Sequence, residues 1–463
     1  MPLRTILFAL AFAGLAIAGL QAPIWAVCGY VLNYCIGPER QWWAAPLREM
    51  GLRFSLTLAG ATALGFLLNY GKLKPKFGRA ALLGHEKLIL LFLGIVWLST
   101  ALGEPTIGRY TVIDHPSVKL TKVVIFVLLL THIVTDLKHL NLLLWALILG
   151  ALALGLEAYG VPYRRFAKGR LEGIGGPDFS EANFFAAFMA TMLPLIGVQF
   201  LRTGWTGKAV CLVSGVFTTN AVILARSRGA VVGLVAGCLM ALVLAPARMR
   251  SKIIAGLIVA ILGGLYLADP PFLRRASTIT RPEEERDASA QSRIRLTAAG
   301  LQMVNDHPLG IGAGNFYQTI GSYIPEYAGK DAHNTYIRCA TELGVQGAVV
   351  FLLLIGNAFG ILLKLRRQAA QLPESSRQDV AYVSFALMVC MSVLFVCCIT
   401  ISLVYLEALW WILALPVCLR RAAYNAESDS MPAAAFWPTQ EEAALALQKA
   451  AVVQSAEADS PLP

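Results

Sequence analysis

The sequence predicts an all-α polytopic membrane protein with about twelve transmembrane helices and one large loop outside the membrane. The 463 residues are 57% hydrophobic and only 14% charged, a composition that does not suit a water-soluble globule. Apolar runs of about 17–20 residues recur between short polar breaks, and such runs match the thickness of a bilayer core. Basic residues also gather in alternate loops, the pattern that sets the orientation of membrane proteins.

The apolar runs give the predicted helices in chain order. They lie near 5–25, 52–70, 87–103, 120–136, 140–157, 183–201, 208–224, 229–247, 252–268, 345–364, 380–400 and 405–419. Four basic clusters fall on one face if these spans alternate: 72–79, 248–252, 364–367 and 420–421. Because basic residues favour the cytoplasmic side, that face is predicted to be cytoplasmic.

The N-terminal segment decides the number of crossings. Residues 1–36 must cross the membrane an odd number of times if Arg4 is to remain on the cytoplasmic side. We favour one long or bent crossing followed by an interfacial piece, which gives twelve spans. Two crossings would give thirteen spans and an N-terminus outside.

The predicted organisation has four parts. Nine helices with short loops occupy 1–268, the outer loop 269–344, C-terminal helices 345–424 and a disordered cytoplasmic tail 425–463. The nine cysteines fall mostly inside apolar spans without metal-type spacing, so neither a disulfide framework nor a metal site is expected. A net charge of +11 would suggest a nucleic-acid partner in a soluble protein. Here much of that charge lies in short loops, where it sets orientation, and no nucleic acid is expected.

The outer loop carries an unexpected excess of arginine. Loops on this side of a membrane normally avoid Lys and Arg, so the excess predicts an anionic ligand. The seven arginines are Arg274, Arg275, Arg281, Arg286, Arg293, Arg295 and Arg338.

Two further basic segments are predicted on the outer side. Arg226 and Arg228 stand in a turn between two apolar helices, where the N-terminus of the second helix favours an anion. Arg170 ends a basic cluster at 164–170, which precedes a glycine-rich stretch and Asn183. The alternative for both segments is simple contact with lipid headgroups.

Arg293 and Arg295 lie about one turn inside the start of a predicted amphipathic helix in the outer loop. Its apolar positions recur at helical spacing: Ile294, Ala298, Leu301 and Val304. The following glycines, 310–314, resemble a phosphate-binding loop only loosely.

His333 is a candidate general base. Asn334 is a good cap for a following helix, and the positive end of that helix dipole favours a neutral imidazole. The alternative is a capping or interfacial histidine. Arg338 and Glu342, four residues apart on this helix, could pair with each other.

These residues together resemble the O-antigen ligase and polymerase superfamily of bacterial inner-membrane glycosyltransferases. The matching pieces are Asn183 opening a span with Pro194, the turn 227–229, Arg293, the run 306–312, and the segment His333-Asn334-x-Tyr336 with 342–344. Their order and spacing carry the resemblance, which covers roughly residues 160–360. Thr297 stands where a tryptophan is often found in the family, so the choice between Arg293 and Arg295 stays open.

The resemblance implies a glycosyltransferase C-type architecture and, most closely, an O-antigen ligase. Such an enzyme transfers O-antigen polysaccharide from undecaprenyl diphosphate to a sugar hydroxyl of lipid A–core at the periplasmic face of the inner membrane. The implied chemistry is inverting, with no metal and no cofactor. His333, Arg228 and Arg293 are the expected catalytic residues. The expected substrate-binding residues are Arg170, Arg226, Arg295, Asn334, Tyr336, Arg338 and Asn183.

Three alternatives remain open. An O-antigen polymerase or a protein O-oligosaccharyltransferase would use the same lipid-linked donor. A polysaccharide or lipid exporter would carry charged residues deep within several spans, whereas the charges here cluster at the outer ends. Membrane lipids are expected neighbours, and the sequence leaves the oligomeric state open.

Overall fold

The computed structural model describes residues 2–73, 83–105, 110–161, 166–167, 169–245, 250–280 and 288–430. Side chains at 167, 280, 288–290, 371, 375 and 427–430 are outside this description. Most of the predicted tail, 431–463, therefore lies outside the described residues.

The described chain is almost entirely helical, and each of the twelve predicted spans coincides with a helix. These helices are α1 (Leu3–Gln21), α4 (Phe54–Leu68), α6 (Gly84–Leu102), α7 (Pro116–Ile133), α8 (Leu137–Gly160), α9 (Ala182–Arg202), α10 (Trp205–Ala225), α11 (Arg228–Leu244), α12 (Arg250–Leu267), α16 (Thr335–Gln368), α17 (Glu374–Cys397) and α18 (Glu407–Ser430). Within the described residues, nine helices are long and apolar enough to cross a membrane. A tenth candidate is α4 together with residues 42–49, bent by 65°. The fold class is thus an all-α polytopic membrane protein.

The N-terminal segment forms a helical hairpin, which differs from the single crossing that we favoured. A second helix, α2 (Ile24–Ile36), follows α1 after a two-residue break. Thr5, near the start of α1, donates a hydrogen bond to the carbonyl oxygen of Trp43. Gly37, at the end of α2, packs on the backbone of Gly176. Both ends of the hairpin therefore lie on the face predicted to be outer. The apolar composition of α2 does not reveal this reversal, because Ala22 and Pro23 interrupt the run without a charge.

Short elements connect the spans. The remaining helices are α3 (Ala45–Glu49), α5 (Tyr70–Leu73), α13 (Pro270–Ser277), α14 (Ala288–Asp306) and α15 (Phe316–Tyr323). Strands β1 (Phe166–Ala167) and β2 (Arg170–Leu171) pair antiparallel, with Ala167 opposite Arg170. The most enclosed of the candidate spans in the described chain are α9 and α17.

The outer loop has a small core of its own between α14, α15 and the start of α16. Leu296, Ala299 and Met303 supply the α14 side of this core. The predicted amphipathic helix exists, but its predicted apolar face was wrong. Ile294 is 45% exposed and Leu301 59% exposed. The buried residues lie on the other face of the helix because α14 packs on α15 and α16 through Leu296, Ala299 and Met303.

The glycine-rich run after α14 packs on a kink in α16. Gly344 has φ 74° within this helix, and Gly310 has φ 95°. The amides of Ile311 and Gly312 donate to the carbonyl oxygens of Thr341 and Glu342, at 3.0 and 3.1 Å. The run therefore holds the outer loop against the membrane helices, and its amides do not form an open phosphate cradle.

Candidate functional site

Asn183, at the start of α9, joins three predicted functional segments. Its Oδ1 accepts hydrogen bonds from Arg170 Nη2 at 2.6 Å and from Ser227 Oγ at 3.0 Å. Its Nδ2 donates to Glu181 Oε1 at 3.2 Å. The glycine-rich segment before α9 and the turn between α10 and α11 therefore meet at one amide side chain.

A cluster of guanidinium groups surrounds Arg170. The pKa of Arg170 is lowered to about 10, by burial first and then by the nearby positive charges of Arg275 and Arg293; Glu172 and Glu181 act in the opposite direction. Arg170 is still a cation at neutral pH. Positive side chains from α13 and α14 thus lie close enough to repel Arg170 in β2, and such an arrangement favours an anion.

Arg228 opens α11 beside this cluster. Its Nη1 donates to Thr278 Oγ1 at 3.1 Å, just beyond the end of α13. The N-terminus of α11 adds its own partial positive charge at this point. A fourth guanidinium is therefore positioned next to Ser227 and the Asn183 junction.

His333 stands next to the same junction in a strained backbone conformation. Its φ of 48° is one of two positive values among the non-glycine residues that the structure describes. Nδ1 lies 3.6 Å from Asp331 Oδ2 and 3.9 Å from Glu181 Oε1. The side chain is 32% exposed while Nδ1 is enclosed, so the exposed part of the ring lies on the Nε2 side.

Asp331 connects His333 to a buried ion pair. Its Oδ1 lies 3.3 Å from Arg338 Nη1, and its Oδ2 accepts the backbone N–H of His333 at 3.2 Å. Burial raises the pKa of Asp331, but the charges of Arg338 and His333 outweigh it and the net pKa is lowered. Asp331 is therefore ionised at neutral pH and presents a negative charge to the imidazole.

Arg338 and Glu342 form the predicted pair within α16. Arg338 Nε donates to Glu342 Oε1 at 3.1 Å, and Tyr405 Oη donates to Glu342 Oε2 at 2.7 Å. Glu342 also accepts the backbone N–H of Phe316 at 3.3 Å. Both charges of this ion pair are buried, so Arg338 is not exposed to a substrate. The pair instead holds Asp331 and the outer loop in place.

Four residues predicted to bind substrate have their side chains engaged elsewhere. Asn334 Oδ1 caps α16 by accepting the amides of residues 336 and 337. Tyr336 Oη donates to the carbonyl oxygen of Phe395 at 2.8 Å, inside the membrane bundle. The buried Arg226 binds the carbonyl oxygen of Gly169 and the Asp269 carboxylate. The exposed Arg295 binds Glu326 and lies over the ring of Tyr327.

The sequence does not single out three residues that lie at the site in the structure: Glu181, Arg275 and Asp331. The spacing of Asp331 two residues before His333 was the available signal. The sequence predicts Arg275 only as one of the seven arginines of the outer loop. The predicted basic residues at 164, 165, 168, 281 and 286 lie outside the described residues.

Comparison with known families adds an independent observation. Residues 213–352 match the family described as O-antigen ligase. The matched segment contains Arg228, Arg275, Arg293 and His333, whereas Arg170 and Asn183 precede it. No curated protein matches the chain.

Proposed function

Because the chain is a member of the O-antigen ligase/polymerase superfamily, we propose that it is an O-antigen ligase. In this proposal it transfers O-antigen polysaccharide from undecaprenyl diphosphate to a sugar hydroxyl of lipid A–core. The reaction takes place at the periplasmic face of the bacterial inner membrane. The observation that carries the proposal is that Arg170, which feels the charges of Arg275 and Arg293, is linked through Asn183 and Glu181 to His333.

The arginine cluster suits the diphosphate of the donor. The positive charges of Arg275 and Arg293 both act on Arg170, and a diphosphate bound there would offset that repulsion. Guanidinium groups match phosphate oxygens in a bidentate geometry, and Arg228 is positioned to contribute a fourth. As the sugar–phosphate bond breaks, these charges stabilise the leaving diphosphate, which is often the largest contribution to catalysis.

His333 suits the acceptor side of the reaction. Nε2 accepts the proton of the attacking hydroxyl while its oxygen forms a bond to the anomeric carbon. The bond from that carbon to the phosphate oxygen breaks on the opposite face, so the configuration inverts, and the electron pair leaves with the diphosphate. Asp331, near Nδ1, orients the ring and stabilises the imidazolium that forms.

A continuous path links the two halves of the proposed site. Arg170 binds Asn183, Asn183 binds Glu181, and Glu181 Oε1 lies 3.9 Å from His333 Nδ1. A donor held by the arginines would therefore lie next to the proposed base. Such proximity of reacting groups is itself a major source of rate enhancement.

The arrangement of outer segments supports a ligase over a polymerase. One long outer segment, 269–344, contributes Arg275, Arg293 and His333, and the earlier segment 158–182 is much shorter. A polymerase more typically carries two comparable outer loops. The acceptor distinguishes these activities, because all of them use the same donor.

The test is reconstituted transfer with three acceptors in parallel. Purified protein would receive a labelled undecaprenyl diphosphate donor with lipid A–core, with a second lipid-linked repeat unit, or with an acceptor peptide. We expect label on lipid A–core alone, without an added energy source. Growth of lipid-linked chains would indicate a polymerase, and labelled peptide would indicate an oligosaccharyltransferase. Movement of donor across vesicles without any new bond would indicate an exporter.

A further inference from the structure

The opposite end of the molecule contains a basic cavity that the transfer reaction does not use. It has a volume of about 190 Å³ and lies between α16 and α18, near their C-terminal ends. Lys364 and Arg420 line it, together with Asn357, Gln368 and Tyr424. The cavity therefore lies on the face predicted to be cytoplasmic.

The two cations of this cavity are not neutralised within the described chain. No Asp or Glu lines the cavity, and neither Lys364 nor Arg420 forms an ion pair with any residue that the structure describes. The Nε atom of Arg420 is enclosed and has no hydrogen-bond partner among these residues. An enclosed donor without a partner is costly, so these groups favour an anionic ligand.

A second cavity on the same face provides a contrast. It has a volume of about 250 Å³ and is lined by Lys138, Arg202 and Asp379, among others. The arginine of this cavity is already paired with a carboxylate, because Arg202 Nε donates a hydrogen bond to Asp379 Oδ1 at 3.0 Å. Among the described residues, the arginine of the second cavity is thus paired with a carboxylate, whereas Lys364 and Arg420 in the first cavity are not.

The surface of α16 next to the first cavity is apolar and exposed. Val349, Leu353 and Asn357 follow one another at four-residue spacing, which places them on one face of the helix. Val349 is 48% exposed and Leu353 52% exposed. This face leads from the cavity towards the middle of the helix, where acyl chains of a lipid would lie.

We propose that the cavity between Lys364 and Arg420 binds the phosphate of an anionic phospholipid from the cytoplasmic leaflet. Lys364 and Arg420 contact the phosphate oxygens. Asn357 and Tyr424 supply further polar groups, and the acyl chains follow Leu353 and Val349. Basic pockets between transmembrane helices on this side of a membrane are suited to acidic headgroups.

The test measures lipid binding to the full-length protein in detergent by native mass spectrometry. The probes are phosphatidylglycerol and phosphatidylethanolamine, with inorganic phosphate as a competitor. We expect the protein to prefer phosphatidylglycerol. The double variant Lys364→Gln/Arg420→Gln should bind it about 25-fold more weakly, since each basic side chain contributes a factor of about five.

Two further variants keep the test decisive. Gly360 lines the cavity and has nothing within 4 Å of the position of an added Cβ, so Gly360→Leu should obstruct the cavity without changing its charge. It should also weaken binding. Lys138→Gln removes a cation from the second cavity and should leave binding unchanged.

Equal phosphatidylglycerol affinity in wild type, the double variant and Gly360→Leu would overturn the proposal. Displacement of the lipid by millimolar phosphate would overturn the lipid assignment.

Discussion

Arg293 and Arg295 show how two neighbouring arginines acquire different environments. Positions two apart on a helix point about 200° apart, so only one of them can face the cluster around Arg170. Arg293 lowers the pKa of Arg170 by its charge, whereas Arg295 pairs with Glu326. The proposed diphosphate site therefore includes Arg293 and not Arg295.

We expect Arg293→Gln to reduce transfer by about 10²–10³-fold, as removal of one charge-stabilising donor typically does. Arg295→Gln is the matched control and should remain within about threefold of wild type, because an exposed ion pair contributes little. Added pyrophosphate should raise the unfolding temperature of wild type and Arg295→Gln, and much less that of Arg293→Gln. Equal losses of activity in the two variants would contradict the assignment.

Asp331 is proposed to position His333. Its pKa is lowered in the fold, so its charge stabilises the protein at every pH above the ordinary carboxyl range and is lost only below it. Asp331→Asn should reduce transfer by about 10²-fold or more, since an orienting aspartate beside a catalytic histidine contributes up to about 10⁴-fold. The KM for the lipid-linked donor should stay unchanged while kcat falls, because the arginine cluster proposed to bind the donor is intact. A matching rise in KM would indicate a structural role alone.

Among the secondary-structure elements, the contact between the glycine run and the α16 kink fixes the outer loop. A Cβ added at Gly310 would lie 2.6 Å from the carbonyl oxygen of Glu342, in addition to the strain of its positive φ. Gly329 has a similar φ of 77° with open space around it. Substitutions at these two glycines therefore separate the free energy of backbone strain from that of a steric clash with the α16 kink.

We expect Gly310→Ala to lower the free energy of unfolding by about 2–5 kcal/mol, the sum of backbone strain and overpacking. Gly329→Ala should lower it by only about 1–2 kcal/mol, from backbone strain. Unfolding in mixed micelles, followed by circular dichroism, measures both. If the two variants are equally stable, the contact does not hold the loop.

Hydropathy was sufficient to predict every span, and each predicted span overlaps a helix, because the apolar runs are a local property of the sequence. The face of α14 was predicted wrongly, since both faces carry apolar side chains and only α15 and α16 decide which is buried. Of the residues predicted for the site, Arg170, Asn183, Arg228, Arg293 and His333 contribute to the site proposed here. The sequence could not single out Arg275 and Glu181, because their proximity depends on how α13 and α9 pack in three dimensions.

For the whole molecule, the N-terminal hairpin places Leu3 on the face predicted to be outer. Leu3 is 71% exposed, and Leu309 in the outer loop is 72% exposed. Trp205, the first residue of α10, is 86% exposed and lies on the face predicted to be cytoplasmic. The nine native cysteines are buried, except for the half-buried Cys238, so background labelling should be low.

Labelling of intact cells with a membrane-impermeant maleimide should therefore modify Leu3→Cys and Leu309→Cys. It should not modify Trp205→Cys until the membrane is opened. Protection of Leu3→Cys with labelling of Leu309→Cys would restore a single N-terminal crossing. Protection of Leu309→Cys would place the proposed active site in the cytoplasm and overturn the proposed function.

The most direct test of the proposed site is transfer by purified His333→Ala, with lipid A–core as acceptor and defined undecaprenyl diphosphate donor. We expect this variant to fold, and pyrophosphate to raise its unfolding temperature as in wild type, because the arginine cluster is intact. Its transfer rate should fall by about 10²–10⁴-fold, the usual contribution of a general base. Near-normal transfer by a well-folded His333→Ala protein would contradict the assignment of His333 as the base.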